Sequence, residues 1–233
     1  GTAVASATDV AKASASIVLT KPGLGEIVDT IRVSRRTYQR MLTWVINKVT
    51  KVVEVTVLFS VGYFWLHDMV ITLLGMSLLV FANDFATMSI ATDNAVSTKS
   101  PNSWNLRSIV SSSVLLGTLF ALEDLFLVYL GLAWFHLSFG ALCTLVMLSL
   151  VFNTQFRILI VRERRHFWSS VPGKTLLFVN LATMAGFFLL GVFGAGLLPV
   201  LTFGQVAVLL GGSAFSAVLI DFVKVGLFRV FRV

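Results

Sequence analysis

Apolar residues run almost unbroken through six segments of this sequence, the first ending near Trp65 and the others at about 69–92, 109–133, 137–160, 174–198 and 203–223. Each holds about 20 residues or more, enough at 1.5 Å per helical residue to cross ~30 Å of hydrocarbon. The breaks between them are polar or contain Pro and Gly. Pro22, Pro101, Pro172 and Pro199 all fall at boundaries, as expected of a residue that removes a helical hydrogen bond. The pattern predicts an all-α polytopic membrane protein, a six-helix transmembrane bundle.

The first segment is longer than a membrane requires. From Glu26 to Trp65 there is no Pro and the only Gly is Gly62, while the composition changes near Trp44 from Arg-rich (Arg32, Arg35, Arg36, Arg40) to apolar. One helix of about 40 residues is predicted, roughly 60 Å long, so half of it must stand out of the bilayer as a stalk. Ahead of it, Gly1-Thr2-Ala3-Val4, a small-residue stretch from Ala7 to Ser16 with Asp9 as its cap, and Ile17-Val18-Leu19-Thr20 closed by Lys21-Pro22-Gly23 read as strand, helix, strand. These are too few residues to bury a core. Residues 1–24 are therefore expected to be an α/β remnant of a domain continuing upstream, and 25–233 the stalk and transport domain. The opening without an initiator Met agrees with that expectation.

Composition sharpens the class. The chain is 57% hydrophobic and 12% charged, against about 45–50% and about 25% in soluble domains. A net charge of +7 suggests nucleic acid, yet the basic residues lie between the apolar runs, so the lipid bilayer is the expected partner and nucleic acid is not. The connections near His67-Asp68, near Phe135-His136 and around 195–202 contain no Lys or Arg. The opposite loops hold Lys99 and Arg107, then Arg162, Arg164, Arg165 and Lys174, and the tail adds Lys224, Arg229 and Arg232. The positive-inside rule places both termini in the cytosol. One cysteine, Cys143, permits no internal disulfide and no thiolate metal cluster. No nucleophile elbow, zinc motif or phosphate-binding Gly loop occurs.

Ionisable groups inside a span cost at least ~2.5–3.5 kcal/mol each, which makes them site candidates. Those singled out are Lys48, Lys51, Glu54, Asp84, Glu123, Asp124 and Asp221. Lys51 lies 16.5 residues before the midpoint of the turn at His67-Asp68, and Asp84 lies 16.5 after it. Antiparallel helices would bring both about 25 Å below the turn. Glu54, one turn from Lys51 on the same face, would complete a cluster of one cation between two carboxylates, with Asp84 binding and releasing the ion. Asn83, Asp84 and Thr87 supply oxygens within one turn, suited to a hard cation or a proton relay and to no soft metal. The neighbours Glu123 and Asp124 diverge by about 100°, so one is expected to meet a polar group on another helix, as a packing or accessory transport residue. Asp221 and Lys224 read as an interfacial anchor. His67 and His136 read as solvated turn residues or exit relays, and His166 with Trp168 as membrane-surface residues.

The stretch GTAVASATDVAKASASIVLTKPGL followed by RRTYQRM resembles the end of the phosphorylation domain and the stalk of P-type cation ATPases, above all the plasma-membrane proton-pump branch. FANDFATMSIATDN with Pro101 is similar to that family's sixth span, and VRERRHFWSSVPG and LIDFVKVGLF to the loop before its ninth span and to its last span. The likeness covers essentially the whole chain. It implies that the six helices are spans five to ten, that residues 1–24 end a haloacid-dehalogenase-like phosphorylation domain, and that Asp84 is the proton-carrying carboxylate. The branch places an Arg where this sequence has Glu54, with Lys51 one turn away. The resemblance further implies a plasma-membrane pump driven by ATP with Mg2+. The phosphorylated Asp, the nucleotide-binding and actuator domains and spans one to four would lie upstream, and this piece alone would bind no cofactor and be inactive. The alternatives are a P-type pump for another cation, and a six-span channel or secondary transporter without an ATP step.

Overall fold

A computed structural model of the chain describes residues 1–20, 25–98 and 104–231. Lys21, Pro22, Gly23, Lys99, Pro101 and Arg232 lie outside the described residues. The N-terminal segment has strand β1 (Thr2–Ala3), helix α1 (Asp9–Ser14) and strand β2 (Ile17–Val18), with β1 and β2 parallel in the register Thr2 to Ile17 and Ala3 to Val18. The cap of α1 is Thr8 and not Asp9: the Thr8 hydroxyl accepts from the Ala11 amide at 3.4 Å, which leaves Asp9 in the first turn, where a carboxylate suits the helix dipole.

Six long helices follow: α2 (Gly25–Leu66), α3 (Leu73–Ser89, continued by a 3-10 turn at Ile90–Thr92), α4 (Leu106–Ala133), α5 (Phe139–Val161), α6 (Lys174–Phe193) and α7 (Phe203–Phe231). All six are long and apolar enough to cross a membrane, and the protein is an all-α polytopic bundle. Helix α2 runs unbroken for 42 residues, twice the hydrocarbon thickness at the usual helical rise.

Two boundaries depart from expectation. Helix α6 stops at Phe193 rather than near 198, because Gly194, Ala195 and Gly196 all take left-handed backbone (φ 65°, 46° and 70°). A side chain at Gly194 would also strike the Leu198 carbonyl at 2.6 Å. Helix α7 continues past 223 to Phe231, since Lys224 is satisfied inside the protein and so does not end the helix.

Helix α5 is the hub. Of its apolar window 89% is buried inside the bundle, against 22–50% in the other helices, and it packs against α2, α3, α4, α6 and α7. Polar residues on α5 therefore meet protein whichever way they point. Helices α2 and α4 approach closely: a Cβ at Gly117 would lie 2.6 Å from the Thr50 carbonyl and 2.7 Å from Val53 Cβ. Small residues at such crossings let backbones touch where lipid offers no hydrophobic drive. The link from α2 to α3 is not a tight turn. His67 takes φ 57°, and Val70 folds back onto Gly62.

Candidate ion-translocation site

That folded-back link decides which cation meets Asp84. Residues 67–72 are bends and irregular backbone, so the helical rise does not hold between Leu66 and Leu73, where helix resumes. Counting helical rise symmetrically about the turn then errs by about one turn. Asp84 pairs with Lys48, at 3.6 Å between Oδ1 and Nζ, and not with Lys51. The predicted Lys51–Asp84 pair is corrected accordingly. The Lys48 ammonium also lies 6.0 Å from the Trp44 ring centre. The pair lies along an open cleft of about 360 Å³ between α2 and α3, lined among others by Lys48, Lys51, Val55, Leu79, Asn83 and Asp84. The Asp84 side chain is 59% exposed and that of Lys48 32% exposed, so the carboxyl is presented from the bundle and not sealed in it.

The oxygens of Asn83, Asp84 and Thr87 do not converge. Asn83 and Thr87 are buried on the bundle side of α3. The Thr87 hydroxyl donates to the carbonyls of Asn83 at 2.9 Å and Asp84 at 3.1 Å, while Asn83 Oδ1 is buried without a partner among the described residues.

Glu54 faces away from Asp84, which corrects the expected three-charge cluster. It is fully buried and paired with Arg157 of α5. Sequence reasoning passed over Arg157, the one charged residue in the apolar run 139–161; its isolation there was the available signal. Arg157 also donates from Nε to Asn47 Oδ1 at 2.9 Å and from Nη2 to Thr154 Oγ1 at 3.1 Å, with its guanidinium 5.3 Å from the Phe120 ring centre. Asp124 accepts from Asn153 Nδ2 of α5 at 3.0 Å. Glu123, although adjacent, also turns both carboxyl oxygens into the protein, towards Ser213 and Asn153. The membrane interior thus holds a polar layer joining α2, α4 and α5, behind the cleft that holds Asp84.

Two further clusters tie the stalk side together. Asp93, just past α3, takes Arg162 Nε at 3.1 and 3.0 Å on its two oxygens and the Gly173 amide at 3.0 Å, while its carbonyl accepts from Arg40 Nε of the stalk at 2.8 Å. Asp221 and Lys224 are no surface anchor. Both are fully buried, and Lys224 donates to the carbonyls of Ile160, Glu163 and Arg165 at the end of α5 and to Asp221 at 2.6 Å. Those orphan carbonyls hold the ammonium in place of water. His166 sits 2.9 Å from Asp221 and stacks on Trp168, while Trp168 is itself exposed. In the loop after α5, burial pushes the Glu163 carboxyl up. The Ser170 hydroxyl, the Arg165 amide and the charges of Arg165 and Arg162 outweigh it and hold the group below its usual range.

The "Putative cation-transporting ATPase" of Methanocaldococcus jannaschii is 35% identical over 178 residues, 76% of this chain and 22% of that protein. A "Plasma membrane ATPase" of Kluyveromyces lactis is 31% identical over 192 residues, 79% of this chain and 21% of the relative. This chain is a relative of the P-type cation and proton ATPases. A "Probable proton ATPase 1B" of Leishmania donovani matches at 28% over 222 residues, 81% of this chain and 23% of the relative. No protein-family model matches the sequence. The chain spans about a fifth of the length of these P-type relatives.

Proposed function

We propose that this chain is the C-terminal ion-translocating region of an ATP-driven P-type proton pump of the plasma membrane, with both ends of the chain cytosolic and Asp84 as the carboxylate that takes up and releases the proton. One observation carries the reading. Asp84 is offered into a cleft directly against an ammonium on the helix that also forms the stalk. An ammonium at 3.6 Å repels a metal cation entering beside Asp84, which supports a proton as the cargo over Na+, K+ or a divalent ion.

Lys48, rather than Lys51, keeps the empty carboxylate charge-balanced, and Asn83 lines the same cleft. In the intact parent, ATP hydrolysis with Mg2+ in cytosolic domains moves the stalk, and residues 1–24 are the end of the phosphorylation domain. An unbroken α2, tied to α3 through Arg40 and the Asp93 carbonyl, is suited to carry that motion to Lys48 as a rigid lever. The chain contains no D-K-T-G phosphorylation loop, and by this reading it hydrolyses no ATP alone.

The test is ATP-driven proton flux of the full-length protein in sealed vesicles, with Asp84→Asn against the parent. Flux should be lost while the protein still inserts and folds. Undiminished flux removes Asp84 from the mechanism. Flux that follows an added metal cation in place of pH transfers the assignment to another ion.

A further inference from the structure

Two buried carboxyl groups face each other in the polar layer behind Asp84. Glu54 and Asp124 are both fully buried, and their carboxyl groups lie within hydrogen-bonding reach of each other. Glu54 Oε1 and Asp124 Oδ2 have no hydrogen-bond donor among the described residues. Two carboxylates facing each other in hydrocarbon repel, and each unpaired charge costs several kcal/mol. One hydrogen on the pair supplies the missing donor. It also leaves a single negative charge, which the paired Arg157 guanidinium cancels.

We infer that Glu54 and Asp124 share one bound proton in the membrane interior, a second protonation site separate from Asp84. A metal ion is disfavoured there, because the guanidinium occupies the other side of Glu54 and repels it. The remaining charged groups facing the pair are Glu123 on α4 and Lys51 on α2. Lys51 is within electrostatic reach of Glu54, Arg157 and Asp84, so a change of charge at either site is felt at the other. The site is independent of the role proposed for Asp84, since it requires a proton to be held and no transport to occur.

Infrared spectroscopy of the full-length protein in lipid, in the region of the protonated-carboxyl C=O stretch, tests this without turnover. At neutral pH the unmodified protein must show a protonated carboxyl component. Glu54→Gln and Asp124→Asn should each delete the same component, because the remaining carboxyl must ionise to balance Arg157. Arg157→Met should instead add one, because both carboxyls then stay neutral. Asp84→Asn should leave the component in place, even if it abolishes flux. Absence of any protonated carboxyl in the unmodified protein, a test that needs no variant to fold, overturns the inference. So does a protonated-carboxyl signal that neither the Glu54 nor the Asp124 replacement reduces in proteins of unchanged circular dichroism.

Discussion

Lys48 Nζ lies 3.6 Å from Asp84 Oδ1 across the cleft between α2 and α3, while Lys51, one turn further along α2, makes no ion pair with it. The two lysines lie on one helix and line one cleft, yet their replacement should have different consequences. A half-exposed pair is worth up to ~1 kcal/mol, or several-fold in an equilibrium. Lys48→Met should therefore lower ATP-driven flux of the full-length protein several-fold, and Lys51→Met should lower it less. Equal loss in both would assign the partner role to the cleft's overall charge.

The Arg157–Glu54 pair predicts an asymmetry in stability. Either single replacement breaks the charge-assisted hydrogen bond, while the proton shared with Asp124 readjusts to keep the core neutral, so Arg157→Met or Glu54→Gln alone should cost about 1.5–3 kcal/mol and the double variant less than their sum. Denaturant unfolding in detergent micelles would measure this as a double-mutant cycle. Additive losses in the double variant would show that the two side chains act independently.

Gly117 sets the distance between α2 and α4. Gly117→Val would press its methyl groups onto the Thr50 carbonyl and Val53, and the helices must separate at a cost of about 1–3 kcal/mol. Thermal unfolding should fall accordingly. Gly186, where an added Cβ meets nothing within 4 Å, is the control, and Gly186→Val should change stability little by packing.

Glu163 predicts a pH dependence in the loop after α5. Its folded-state carboxyl titrates below the ordinary range. The stabilisation it gives is therefore complete above the unfolded value of about 4.3 and is lost as pH falls through the lower folded value. The melting-temperature difference between the parent and Glu163→Gln should be constant near neutrality and shrink in acid. A difference that grows in acid would contradict the assignment.

The sequence by itself determined that six helices cross a membrane and that the first reaches far beyond it. Both follow from the length of uninterrupted apolar segments, a property local to the chain. It also picked out Asp84, Glu54 and Asp124 as unusual, because a charge in an apolar run is costly wherever it points. Only the tertiary structure decided their partners. Lys48 rather than Lys51 meets Asp84 because the non-helical link after Leu66 folds back along α2. Glu54 turns to Arg157 because α5, distant in sequence, occupies the centre of the bundle. Lys224 is buried for a similar reason, its ammonium held by the carbonyl of Ile160 in the last turn of α5 and that of Glu163 just past it. Pairings of this kind depend on which helices become neighbours and at what height, and side-chain packing across the bundle sets both.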